Sequence, residues 1–151
     1  MLIDTGDWQG RGSIRLTGQV SGERLVTDIN IRHEGPTWIV QGLAVIEGAS
    51  DSRYEINLVI AADEVGTYRI VAKVGGHSLE GAAKLESQPN LAMIATENSE
   101  IVATSTLFAS AEGLGFRGFA HELDKKIWTW EILLQPVRQI VRSDNVVSLR
   151  R

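Results

Sequence analysis

Three histidines, His33, His77 and His121, carry the most chemistry of any residues in this chain. Imidazole binds zinc, ligates haem iron and moves protons near neutral pH. The three stand at a regular interval of 44 residues. The residues around them do not match, so the interval is not a repeat. His33 and His121 are each followed by a glutamate, Glu34 and Glu122, as acid–base pairs could be. Adjacent side chains on a strand point to opposite faces, so neither pair is expected to share a site. Ser105 and Thr106 have no basic neighbour in sequence. The chain has no G-x-S-x-G, phosphate loop or H-E-x-x-H, and the G-x-G of Gly10 and Gly12 lies inside a strand-like run and does not lead into a helix. No residue is therefore assigned a catalytic role. With no cysteine, disulfides, thiolate metal sites and thiol nucleophiles are excluded.

These residues must be held by strands. Turn-forming clusters rich in Gly, Pro, Asn, Asp and Ser recur at short, nearly even intervals, as at Glu34-Gly35-Pro36 and Gly75-Gly76. Between them lie ten runs of about 6–13 residues, a strand-like length. Most alternate apolar with polar. Trp8, Ile14, Leu16 and Val20 share a face with Gly10, Gly12 and Gly18, against Gln9, Arg11, Ser13 and Arg15. Tyr54, Ile56, Leu58 and Ile60 oppose Arg53, Glu55 and Asn57. Trp128, Trp130, Ile132 and Leu134 oppose Thr129 and Glu131. The third, seventh, eighth and ninth runs alternate less cleanly. One wet and one dry face imply antiparallel sheet, and short links imply pairing between sequence neighbours.

The expected fold is all-β: an up-and-down antiparallel barrel of about ten strands, residues 1–151 forming one domain. Glycines on the dry face would permit the bends that closure needs. A two-sheet sandwich would need long crossovers, and none is visible. Residues 136–151 read as a basic tail or closing segment. There Pro136 suits a first helical position, Val137, Ile140 and Val141 have helical spacing, and Val146 to Leu149 could return as an edge strand.

Strand direction sorts the candidates. His33 ends the second strand, at the end where the first begins with Trp8. Trp38 lies there too. His77 starts the sixth strand and His121 ends the ninth, so both lie at the opposite end, with Tyr54, Trp128 and Trp130. A three-histidine metal site is therefore not expected. No cofactor is expected, and haem on a single histidine stays open as an alternative.

The net charge of −4 argues against nucleic acid as partner. Four arginines of the tail, Arg138, Arg142, Arg150 and Arg151, against Asp144 give it +3, leaving about −7 on the body. No apolar run approaches the roughly 18 residues of a membrane helix, and no signal peptide is visible, so membrane insertion is not expected. The expected location is the cytoplasm, and a homodimer is an open possibility for the assembly.

Gly6-Asp7-Trp8 fits the G-x-W that opens the first strand of the calycin families, which include lipocalins, fatty-acid-binding proteins and bacterial barrel relatives. The strand count resembles that group over nearly the whole chain. The signal sequence, disulfide and long C-terminal helix of lipocalins are missing. So is the helical lid that follows strand one in fatty-acid-binding proteins, where only Ser21-Gly22 stands. The likeness is to small bacterial calycin-like barrels. It implies that Trp8 is structural and marks the closed end, with an Arg near the chain end packed on it. It also implies that Tyr54, His77, His121, Trp128 and Trp130 gather at an open mouth. Aromatics with a few polar groups suit a small hydrophobic or amphipathic ligand. The alternatives are an isomerase or cyclase using His77 or His121 as acid–base, and a filled barrel with a structural or assembly role.

Overall fold

The computed structural model describes residues 4–48, 51–86 and 88–137. They form ten strands: β1 (Gly6–Leu16), β2 (Glu23–Glu34), β3 (Thr37–Glu47), β4 (Ser52–Ala62), β5 (Tyr68–Val74), β6 (His77–Lys84), β7 (Asn90–Ala95), β8 (Ile101–Ser110), β9 (Gly113–Glu122) and β10 (Lys125–Pro136). Each pairs antiparallel with its neighbour in sequence, and β10 returns to β1 to close the barrel. That last seam runs from Trp8 opposite Pro136 to Leu16 opposite Trp128. Closure leaves no unpaired sheet edge. Among the described residues no helix is long and apolar enough to cross a membrane.

The alternation read from the sequence is the alternation of the wall. Ile14, Leu25, Ile31, Val40, Ile60, Ile70, Leu79, Leu114, Ile132 and Leu134 are buried inside. Arg11, Asp28, Glu80, Arg117 and Glu131 alternate with them and are exposed. Several outward charges pair across strands, Arg24 with Glu47 at 3.1 Å, Arg69 with Glu80 at 2.7 Å, and Arg117 with Glu131. All are well exposed, so each pair contributes about 0–1 kcal/mol. β3 and β8 looked less regular because both their faces are half-buried. Ile39, Leu43 and Val45 cover the outside of β3, and small Ala103 and Ser105 line the inside of β8.

Two glycines show how the strands approach closely enough to close. A Cβ on Gly12 would lie 1.8 Å from the carbonyl oxygen of Glu131, and one on Gly81 would lie 1.9 Å from that of Met93. Only a residue without a side chain lets the neighbouring strand pass there.

Two details differ from the sequence reading. β1 ends at Leu16, so Gly18 and Val20 belong to the turn after it, where Gly18 takes a positive φ and Val20 is exposed. The run of alternation continued past the strand because a turn residue can be apolar too. Pro136 is the last residue of β10 and not the start of a helix. The ladder continues one step past it, as the Val137 amide donates to the Asp7 carbonyl at 2.8 Å. Proline lacks an amide proton, but at a strand end none is needed. Ile140, Val141, the segment 146–149 and the four tail arginines lie outside the described residues.

Candidate functional site

The two ends of the barrel are built differently. At the end where β1 begins, Trp8 is 7% exposed, and Ile31 and Asn90 are each 2% exposed. Trp8 Nε1 donates to the Asp4 carbonyl at 3.0 Å, so the segment before β1 is tied to the ring. Trp38 stacks on His33 with ring centroids 4.6 Å apart and meets Tyr68 edge-on at 5.8 Å. Leu85, Leu114 and Leu134 complete a packed layer. This end is sealed by side chains.

The opposite end is open. A depression of about 610 Å³ is lined by His77, Thr96, Glu97, Asn98, Glu100, Ile101 and Glu122. A second, of about 360 Å³, is lined by Leu16, Thr17, His77, Ile101, Glu122, Ile127 and Trp128. They share His77, Ile101 and Glu122, so they are two halves of one mouth. One half is polar and acidic, the other apolar with an indole.

The loops around the mouth are tied together. In the β7–β8 loop, Thr96 Oγ1 donates to Asn98 Oδ1 at 2.8 Å, and Asn98 Nδ2 to Glu100 Oε2 at 2.9 Å. The Ile101 amide donates to Thr96 Oγ1 at 3.0 Å, and the Leu123 amide to the Glu100 carbonyl at 2.7 Å, which joins the β9–β10 turn to this loop. The Thr17 amide donates to the Ile127 carbonyl at 3.0 Å, fixing the β1–β2 turn beside β10.

The five residues expected at the mouth divide. His77 and Trp128 line it together. Tyr54 faces inward at the same end, its ring beside Gly75, whose positive φ and missing Cβ leave the ring its place. Trp130 also faces inward, deeper along β10, with its six-membered ring over Gly118 and Phe116 at 6.0 Å. Its indole Nε1 is buried with no hydrogen-bond partner, so packing alone holds it. Neither Tyr54 nor Trp130 lines the two depressions. His121 lies on the outward face, edge-on to Phe119 at 5.3 Å, because it alternates with buried Ala120. The same alternation turns Glu122 inward.

Sequence reasoning missed Leu16, Ile101, Glu122, Ile127 and the loop residues Thr96, Glu97, Asn98 and Glu100. Glu122 follows Phe116, Gly118 and Ala120 at steps of two, but Phe119 on the other parity hides that face in the sequence. Ile127 was not readable either, since a register shift between Lys126 and Trp128 breaks the alternation.

His33, with its glutamate neighbour Glu34, stands at the sealed end, away from His77. Among the described residues no three of His, Asp and Glu group as metal ligands do. The Arg69 guanidinium is held above its ordinary pKa by the hydrogen bond and charge of Glu80, but this pair is on the outer wall. No known family model matches the chain, and no curated protein sequence matches it.

Proposed function

We propose that the chain is a calycin-like carrier or sensor that binds a small hydrophobic or amphipathic molecule at the open end of the barrel. The observation that carries this reading is the contrast between the ends. One is packed shut around Trp8, whereas the other leaves Ile101, Ile127 and Trp128 half-buried and Leu16 exposed around an opening. A concave apolar wall with a few polar groups on one side is the usual form of a small-molecule site. The ligand's apolar part would lie against Trp128, with its polar part toward His77 and Glu122. A closed ten-strand antiparallel barrel is compatible with the calycin group, and Trp8 stands where that group places its first-strand tryptophan.

A titration with the neutral probe N-phenyl-1-naphthylamine tests the reading. The probe should brighten on binding, and Trp128→Ala should weaken it by about tenfold, the value of one aromatic contact near 1.4 kcal/mol. Trp38→Ala, at the sealed end, should change it less than twofold. Tighter binding to Trp128→Ala would mean that the indole fills the space a ligand needs, and the barrel would then be a filled one.

A second reading has one specific support. His77 and Glu122 face the same depression, as an acid–base enzyme would have them. His77→Gln should leave probe binding intact, and it would abolish turnover of any substrate that the mouth transforms.

A further inference from the structure

The outer wall has one uncharged sector. β7 (Asn90–Ala95) and β8 (Ile101–Ser110) contain no charged residue, whereas each of the other eight strands carries at least one. The outward side chains here are Leu91, Met93 and Ala95 on β7, and Val102, Thr104, Thr106 and Phe108 on β8. Phe119 continues the sector onto β9. Met93 is 61% exposed, Leu91 50% and Phe119 40%. Together these three expose on the order of 300 Å², the low end of the largest apolar patch on a typical monomer, which is often functional.

The register supplies the second observation. Ala82, Met93, Thr104 and Phe119 form one row across β6 to β9. On β6, Lys84 lies two residues to one side of this row and Glu80 two residues to the other. On its β6 edge the sector is thus bordered by opposite charges placed symmetrically about its central row, while on its β9 edge Arg117 and His121 stand in the same two rows.

We infer that this sector is the twofold contact of a homodimer, with the axis lying along the Ala82–Met93–Thr104–Phe119 row. A rotation about that row keeps each strand over its own copy and exchanges the two sides of the row. Met93 then meets the partner's Met93, and Lys84 of each protomer lies over the partner's Glu80, twice by symmetry. Leu91 falls over the partner's Ala95, and Thr106 over the partner's Val102. Glu80 already holds Arg69 at 2.7 Å, and its carboxylate is exposed enough to take a second cation. A second copy therefore matches this face in apolar pattern and, along β6, in charge. Two convex barrels touch over about three strands, so the contact is at the small end of specific interfaces. The expected dissociation constant is on the order of 10 µM.

Sedimentation velocity between about 5 and 200 µM tests this, with a dimer expected to grow in over that range. Met93→Glu places two carboxylates on the axis and should weaken the dimer at least tenfold. Glu80→Lys alone and Lys84→Glu alone should each do the same, because each sets like charges face to face. An equimolar mixture of those two variants should recover a dimer near wild-type strength, since lysine again faces glutamate at both places. That recovery also shows that both variants fold. A wild type that stays monomeric at 200 µM overturns the inference. So do single variants that dimerise as the wild type does, or a mixture that fails to associate. Binding of the wild-type monomer to neutral lipid vesicles, lost in Met93→Glu, would assign the face to another occupant and equally overturn it.

Discussion

Replacing Trp8 with alanine tests whether the sealed end is a structural plug. At 7% exposure, the side chain removes on the order of 200 Å² from water, near the upper range for an aromatic. At about 25 cal/mol per Å² this is about 5 kcal/mol, an upper figure because unfolded chains already bury part of their surface. The void left among Ile31, Leu134 and their neighbours adds a cavity penalty, and partial collapse takes some of it back. The expected loss is about 3–5 kcal/mol, the range seen for buried Trp. Trp8→Phe keeps most of the volume and removes the donor to the Asp4 carbonyl, so it should lose about 1–2 kcal/mol. Urea unfolding followed by far-UV circular dichroism reads both. With a slope of about 2 kcal/mol per molar urea for a chain this size, Trp8→Ala should lower the midpoint by about 1.5–2.5 M. A loss below about 1 kcal/mol for Trp8→Ala would put the indole in a tolerant surface position and refute the plug.

Gly81→Ala should destabilise by about 1–3 kcal/mol, because its Cβ must displace the Met93 backbone. Glycine-to-alanine usually stabilises a strand, so a neutral or positive shift of the thermal midpoint would contradict the close approach. Zinc titration by calorimetry should show no submicromolar site that is abolished by His33→Ala. Such a site would require His33 to share an end with His77.

The fold was legible because it rests on two local signals that agree. Strand alternation and evenly spaced turn residues each point to a meander, and a meander without helices has little choice but to close. The ends of the barrel were legible for the same reason, since chain direction reverses at each turn, and this put His33 apart from His77 and His121. What was not legible depends on backbone detail. Gly18 and Val20 keep the parity of β1 although the strand has stopped. Pro136 is acceptable both at a first helical position and at a strand end, and only the partner strand decides. His121 and Glu122 could not be assigned faces from β9 alone, because Phe116, Arg117, Gly118 and Phe119 mix apolar and polar on both sides. The loop of Thr96, Glu97, Asn98 and Glu100 reached the mouth through its own hydrogen bonds, which no periodicity announces.

The small inward residues connect the fold to the proposed site. Ala92, Ser105 and Gly118 stand in the same row as Trp130, and Ile94, Ala103 and Ala120 in the row of Trp128. Trp130 shows what the small residues are for, since its ring occupies the place where a Gly118 side chain would stand. A run of small residues, Gly118, Ser105, Ala92 and Ala83, thus stands beside one large ring in this row, and side chains fill a barrel interior of this size. The deeper row is accounted for by its indole, so the room that remains is at the mouth, above Trp130 and beside Trp128. A ligand there would rest on aromatic side chains and would not displace the core. This favours a molecule partly embedded in the barrel, with its polar end left at the rim near His77, Glu100 and Glu122, over one swallowed whole. It also explains how the same chain can hold a stable core around Trp8 and still offer a half-buried surface. The tight packing and the accessible wall lie at opposite ends of the same ten strands, and the Trp130 row forms the floor between them.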